Sequence, residues 1–277
     1  MDWHLIVPRE PHWGQVNWAE AREVRLRPGQ PPSVLLGASR WQGAYSLTPA
    51  DVTQAAQALT GHALAARQAE LCAGYVPLPG GHRLGVCGVM GSRGLMEITS
   101  LCVRLAHEVP GAGQGVFPQV QGHSTLIAGP PGSGKTTLLR GLARLYAQSG
   151  AQVGIADERG EIAGCAGGAP QLDVGPNTDV VTGMEKAKAL MLLIRAMAPQ
   201  VAAVDEIGGE EEARAVLEAA QCGVTVLATA HSGGGEDAFE RPALKALLAQ
   251  GAFQHLILLT RPGADPQVVS LPRGGGA

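Results

Sequence analysis

Lysine is scarce in this chain: only four of its 21 Lys and Arg residues. Abundant Ala and Gly accompany the skew, which reads as base composition of the coding DNA and not as chemistry. Charged residues are sparse at 16% and aromatics at 4%, against 45% hydrophobic. That balance excludes wholesale disorder and allows a real core within 277 residues, as one large domain or two small ones. The net charge is −3, from 21 cations against 24 Asp and Glu. No global basic field therefore favours nucleic acid, and only a local patch stays open. No apolar run approaches the ~18 residues that span a bilayer. The start, Met1-Asp2-Trp3-His4, lacks a basic segment ahead of a long apolar one, so no secretory signal is expected. The five cysteines, Cys72, Cys87, Cys102, Cys165 and Cys222, are odd in number and never spaced C-x-x-C. Neither a disulfide framework nor a zinc site is expected; reduced, mostly buried thiols in a cytosolic protein are.

The composition shifts near residue 110, where Val109-Pro110-Gly111-Ala112-Gly113-Gln114-Gly115 reads as a linker. We expect an α+β domain over 1–110 and a second domain over 111–277. In the first, Glu23 to Arg27 alternates polar and apolar as a half-buried strand, with Ser33 to Leu36 beside it. Thr48-Pro49-Ala50-Asp51 reads as an N-cap with Pro in the first turn of a helix over 51–59, and a further helix is expected around 62–72. Gly74 to Leu78 and His82 to Cys87 flank Pro79-Gly80-Gly81 as a hairpin, and Ile98 to Leu105 reads as the last strand. In the second domain, short apolar runs at 124–128, 152–156, 201–204, 224–230 and 254–259 alternate with helical patterns. That predicts a parallel sheet buried on both faces. A helix over 183–198 places Met184, Ala187, Leu190, Met191 and Ile194 on one face as core and stops at Pro199. Residues 273–277 read as a frayed tail.

Gly129-Pro130-Pro131-Gly132-Ser133-Gly134-Lys135-Thr136 fits G-x-x-x-x-G-K-[ST]. By composition the pattern is expected only about 0.006 times in the chain, and here it lies between a predicted strand and a helix opening at Thr136-Thr137. Glycines let backbone N–H groups face phosphates without a Cβ in the way, and the helix N-terminus adds positive potential. Residues 129–137 are thus the expected nucleotide cradle, with Lys135 on the β and γ phosphates and Thr136 as a ligand of Mg²⁺. Val201-Ala202-Ala203-Val204-Asp205-Glu206 is an apolar strand ending in two carboxylates. Alone, such a pair equally suits a solvent-facing turn. Beside a phosphate loop, Asp205 reads as the second Mg²⁺ residue and Glu206 as the general base that makes a hydrolase of a nucleotide binder. Asp157-Glu158-Arg159-Gly160-Glu161 and Thr229-Ala230-His231 also fall at predicted strand ends, where ligands of open α/β sheets bind. Glu158 is a further catalytic candidate and His231 a sensor of the γ-phosphate; structural roles for Glu158, Arg159 and His231 stay open.

Taken in order, these segments resemble the stage III sporulation protein AA family. To them belong Pro170 to Gly175, Thr178-Asp179-Val180, Lys186-Ala187, Ile194 to Pro199 and Arg241 to Lys245. The first domain adds Val24 to Pro31 and Gly74 to Gly85, so that the likeness covers most of residues 20–260. One departure is Asn177, where the family's pattern has Arg. The resemblance implies a P-loop NTPase with a RecA-like parallel sheet, helices on both faces and a smaller α+β domain in front. It implies an ATP- and Mg²⁺-dependent ATPase related to the hexameric ATPases of type II and type IV secretion, serving the channel between mother cell and forespore. The expected setting is a homo-hexamer in the mother-cell cytoplasm, peripheral at the inner face of the engulfing membrane. There it would dock on membrane proteins of the same operon, with no transmembrane segment and no nucleic-acid partner. In such a ring a neighbour's arginine would complete the site: Arg104 first, then Arg83, then Arg195. The competing readings are a nucleic-acid-binding P-loop ATPase, opposed by the net charge and the lack of an appended basic module, and a small-molecule kinase, opposed by Glu206.

Overall fold

The computed structural model describes residues 1–67, 70–71, 74–91, 94–232 and 241–272. It divides the chain into two compact units, Met1–His107 with Ala166–Ala169, and Glu108–Cys165 with Pro170–Ala277. The tail at 273–277 and Cys72 lie outside the described residues.

The first unit is built on an antiparallel sheet of strands β1 (Ala21–Leu26), β2 (Ser33–Leu36), β3 (Ser39–Gln42), β4 (Val76–Pro77), β5 (Arg83–Gly91) and β6 (Gly94–Arg104), in the order β3-β2-β1-β6-β5-β4. The alternation predicted for β1 holds: Val24 and Leu26 are buried, and Glu23 and Arg25 face outward. The helix Pro49–Leu59 starts as expected, because Asp51 N–H donates to Thr48 Oγ1 at 3.2 Å and Thr48 N–H donates back to Asp51 Oδ2 at 2.7 Å. Its Val52, Ala55, Ala56 and Leu59 enter the core against the sheet. All four tryptophans, Trp3, Trp13, Trp18 and Trp41, pack together, Trp13 and Trp41 with ring centroids 5.3 Å apart.

Three expectations here need correcting. Within the helix expected around 62–72, Leu64–Arg67 forms a 3₁₀ turn and Glu70 and Leu71 are helical. The hairpin's first arm shrinks to β4, because Pro77 cannot extend a ladder on its N–H side. The described cysteines are not mostly buried: Cys87 on the outer side of β5 and Cys222 just past a helix end are exposed, and Cys102 and Cys165 are half-buried.

The second unit is a sheet of β7 (Thr125–Gly129), β8 (Val153–Asp157), β9 (Thr178–Thr182), β10 (Val201–Val204), β11 (Thr225–His231), β12 (His255–Leu258) and β13 (Gln267–Ser270). The order is β13-β12-β7-β11-β10-β8-β9, parallel except for β13. Because side chains alternate across a strand, each central strand feeds two cores. Leu126, Ala128, Ala202, Val204, Val226 and Ala228 pack against the helices Lys186–Met197, Glu210–Gln221 and Pro242–Ala249. Ile127, Ile155, Ala203, Leu227 and Ile257 pack on the other face against Leu138, Leu139 and Leu142 of the helix Lys135–Gln148. The five predicted strands are present, and β9 and β13 at the two edges are added to them. The helix predicted over 183–198 begins at Lys186, so Met184 precedes it and is 37% exposed instead of sharing its core face. Ala189, Leu190 and Leu193 supply that face, with Ala187, Met191 and Ile194 at its margin. Asn177 has φ +53, a left-handed conformation that Asn tolerates better than the Arg expected there. No described helix is long and apolar enough to cross a membrane.

Candidate nucleotide site

Parallel strands present all their carboxyl ends at one edge, and the ends of β7, β8, β10 and β11 meet there. Leaving β7, the chain turns through Gly132 (φ +74) and Gly134 (φ +99) before entering the helix at Lys135. Both glycines hold left-handed conformations that a Cβ would strain. The Lys135 ammonium is folded back inside this loop, donating to the carbonyls of Gly129 and Pro130, each at 2.9 Å. It also lies 3.2 Å from His231 Nδ1. Burial pushes the Lys135 amine down, against the pull of Asp205 and Glu206. Ser133 Oγ is buried and has no hydrogen-bond partner.

Asp205 follows β10 directly. Its Oδ2 accepts the Thr136 hydroxyl at 2.7 Å, and its Oδ1 accepts the Thr229 hydroxyl from β11. Burial pushes its carboxyl above the usual range; the two hydroxyls lower it incompletely, and Glu161 and Glu206 add repulsion. Glu206 sits in a left-handed conformation, φ +56. Its Oε1 meets His231 Nε2 at 2.8 Å and its Oε2 meets Arg159 Nη1 at 3.2 Å. Since an ammonium only donates, Lys135 makes His231 Nδ1 the acceptor and leaves the ring proton on Nε2, facing Glu206. Burial alone would raise the Glu206 carboxyl, but His231, Arg159 and Lys186 hold it below its ordinary value.

The loop after β8 is held by Asp157, 2% exposed, whose oxygens accept the N–H groups of Glu161 at 2.7 Å, Ile162 at 3.1 Å and Ala163 at 2.9 Å. That turn sets Glu158 and Arg159 beside Asp205 and Glu206 around one shallow cleft. Lys135, Thr136, Asp205, Glu206, His231 and Glu158 are thus gathered at one sheet edge. Thr137 lies one residue on, against Glu108, Arg140 and Arg144 in a separate small cleft. Arg104, at the end of β6, and Arg83, opening β5, belong to the first unit. Arg195 is exposed and faces Glu218 at 3.7 Å. Sequence reasoning gave no role to Thr229, which bridges Asp205 to the Glu206 N–H (2.8 Å), or to Lys186. For Thr229 the signal was its place two residues before His231, which puts both on one side of β11.

Residues 12–272 match the family described as sporulation stage III, protein AA. The chain belongs to that family. Stage III sporulation protein AA of Bacillus subtilis (strain 168) is 38% identical over 267 residues, which cover 91% of this chain and 87% of that protein. Protein SEEDLING PLASTID DEVELOPMENT 1 of Arabidopsis thaliana is 31% identical over 162 residues, 55% of this chain and 23% of that one. Among solved structures, the pilus retraction motor PilT with bound ADP superposes with a TM-score of 0.66 at 19% identity, covering 95% of this chain and 82% of that one. The ATPase DotB of Legionella pneumophila gives 0.60 at 16%, covering 86% and 72%. The fold is therefore the P-loop NTPase fold, with an α+β unit ahead of a parallel sheet.

Proposed function

We propose that the chain binds ATP at the loop 129–136 and hydrolyses it, as a secretion-type motor working in sporulation. One observation carries the reading: an ammonium, a hydroxyl–carboxylate pair and a second, ionised carboxylate converge on a glycine-lined loop at the carboxyl edge of the sheet. The residues fit a nucleotide with its metal. Ser133 Oγ is buried and unpartnered, and Asp205 is a carboxylate held up by burial and supported by two hydroxyls, which a cation would relieve. Thr136 and Asp205 would hold Mg²⁺, which when bound neutralises charge on the phosphate oxygens.

The chain's own groups divide the remaining work. Lys135 exchanges the carbonyls of Gly129 and Pro130 for phosphate oxygens, and the N–H groups around Gly132 and Gly134 face the same oxygens. Glu206, kept ionised by its neighbours, takes the proton from the attacking water at its carboxylate. His231, between Lys135 and Glu206, links the occupant of the loop to the base. Glu158 stands beside this base as the second carboxylate. In the assembly we envisage, a homo-hexamer, Arg104 of a neighbouring subunit supplies a guanidinium that the phosphate loop itself does not contain. Family membership supports placing the motor in the mother cell, docked at the engulfing membrane on channel proteins of the same operon.

The test is phosphate release read beside nucleotide binding. Glu206→Gln keeps the shape of the side chain but cannot accept a proton. It should bind Mg·ATP as the wild type does and lose ~10²–10⁴-fold in turnover. Wild-type turnover by Glu206→Gln, with Asp205→Asn inactive, would move the base to Glu158.

A further inference from the structure

A left-handed backbone at Glu206, φ +56, is unfavourable for a residue of its kind and persists only where neighbours over-determine it. Three hydrogen bonds do so. Glu206 N–H donates to Thr229 Oγ1 at 2.8 Å, and Ile207 N–H donates to the Thr229 carbonyl at 2.8 Å. The third comes from another element: Lys186 Nζ, at the first position of the helix Lys186–Met197, donates to the Glu206 carbonyl at 2.8 Å. The Lys186 side chain is only 13% exposed, and its ammonium stands 3.8 Å from both Glu158 Oε2 and Glu212 Oε1. Neither carboxylate is at hydrogen-bond distance, so the short, directed bond goes to the peptide of Glu206. Glu212 is already engaged, since it caps its own helix through the N–H groups of Gly208 and Gly209.

We propose that Lys186 is a positioning residue for hydrolysis. By pinning the Glu206 carbonyl it holds the backbone in the left-handed conformation that aims the Glu206 carboxylate at His231 and the phosphate loop. This rests on the reading of Glu206 as the base. A water-activating carboxylate must be placed to within a fraction of an ångström, and misplacement by about 1 Å costs ~10²-fold. Lys186 itself touches neither Lys135, Thr136 nor Asp205 through any hydrogen bond or ion pair described, so its loss acts on turnover and not on nucleotide affinity.

The experiment is a double-mutant cycle on the full chain, with phosphate release and the Kd of a fluorescent ATP analogue as readouts. Lys186→Met should lower kcat ~10–10²-fold with KM and analogue Kd nearly unchanged. Lys186→Arg, which can still donate to the carbonyl, should recover part of the loss. In a Glu206→Gln background, Lys186→Met should lower kcat no further, because there is no base left to aim. A purely structural role predicts the same factor in both backgrounds, and that result would overturn the proposal. So would wild-type kcat for Lys186→Met while Glu206→Gln is inactive. Wild-type turnover by Glu206→Gln would instead overturn the base assignment, and this proposal with it. Should Lys186→Met fail to fold, the same cycle is run with Lys186→Gln, whose shorter amide cannot reach as the ammonium does.

Discussion

Glu10 in the first unit is fully buried, yet its oxygens accept the N–H of His12 at 3.0 Å, of Ala44 at 2.7 Å and of Tyr45 at 3.4 Å, and the His12 ring lies at 3.0 Å. Burial would raise its carboxyl, but these donors hold it below the usual range. Asp205 in the second unit has two hydroxyls for support, and burial pushes its carboxyl up in spite of them. The same side-chain chemistry is finished in one place and unfinished in the other. Asp157, with three backbone donors, shows that the second unit can also build a finished carboxylate when it only needs a turn. On the function proposed above, a carboxylate left short of donors is one that a cation would complete. Sheet type explains where each kind occurs. An antiparallel sheet with one packed face spreads its loops over both ends. A parallel sheet covered on both faces sends four strand ends to one edge.

The largest effect expected from this contrast falls on Lys135, the cation facing the unfinished carboxylates. Lys135→Ala should abolish productive nucleotide binding and turnover while leaving the fold intact, since its ammonium bonds only to carbonyls of the loop and a histidine and not into a hydrophobic core. Normal ATP turnover would remove the loop from the mechanism. Next is Arg104, which would break the division of labour by lending the first unit a share of the chemistry. An arginine acting in trans is worth ~10³–10⁵-fold. If each site draws Lys135 and Arg104 from different subunits, Arg104→Ala and Lys135→Ala should each be inactive alone and recover partial activity when mixed. No recovery, with ring formation confirmed by light scattering, rejects the trans role. Asp205→Asn comes third, with turnover falling ~10²–10³-fold through the lost anionic clamp.

Glu10→Ala tests the finished side. It leaves the partly buried N–H groups of His12 and Ala44 without their acceptor; a fully buried unpaired donor costs roughly 1–3 kcal/mol, and these two, within reach of water, cost less. We expect a loss of about 1–2 kcal/mol in unfolding free energy, measured by denaturant titration, with turnover per folded molecule unchanged. A fall in kcat at full occupancy of the folded state would mean that the first unit does more than hold its own shape.

How much of this was readable beforehand differs between the units in the same way. The phosphate loop, the strand ending in Asp205-Glu206 and the helix start at Thr48 were legible because spacing and residue type carry them. The edge strands β3, β9 and β13 were not. An edge strand is half-exposed and short, so Ser39-Arg40-Trp41-Gln42 and Thr178-Asp179-Val180-Val181-Thr182 lack the apolar runs that mark β7 or β10. Within the site, Glu206 was visible as a residue but its left-handed backbone was not, since it is imposed by Thr229 and Lys186 from two other elements. Contacts that join elements distant in the chain leave no local pattern. Met184 failed for the opposite reason: a helical period extends on paper past the point where the helix begins.

The smallest effect is also the most direct measure of the contrast, because it is a difference of sign. A carboxylate whose folded value is lowered, such as Glu10, stabilises the fold above its ordinary pKa of 4.5, and that contribution is lost as pH falls through the lowered value. Asp205 is the reverse. Its folded value is raised above 3.8, so the ionised form costs stability at neutral pH, and the cost disappears as pH falls through the raised value. Asp205→Asn removes that charge and keeps the contacts, because Oδ1 still accepts one hydroxyl and the new amide can donate to the Thr136 oxygen. Melting of the nucleotide-free variant should therefore lie above wild type at pH 8, by ~2–4 °C if about 1 kcal/mol is released. The gap should close toward acid pH. Glu10→Gln should lie below wild type at pH 8, with its deficit also shrinking in acid. Other groups with shifted values, Glu206 among them, contribute to the wild type and to the Glu10 variant alike and largely cancel on subtraction. Saturating Mg²⁺ and a non-hydrolysable ATP analogue should reverse the order for Asp205 alone, since the wild type then gains a ligand that Asp205→Asn binds poorly. An Asp205→Asn variant that melts below wild type at pH 8 without nucleotide would show that its carboxylate is as settled as that of Glu10, and the case for a reserved cation site would fall.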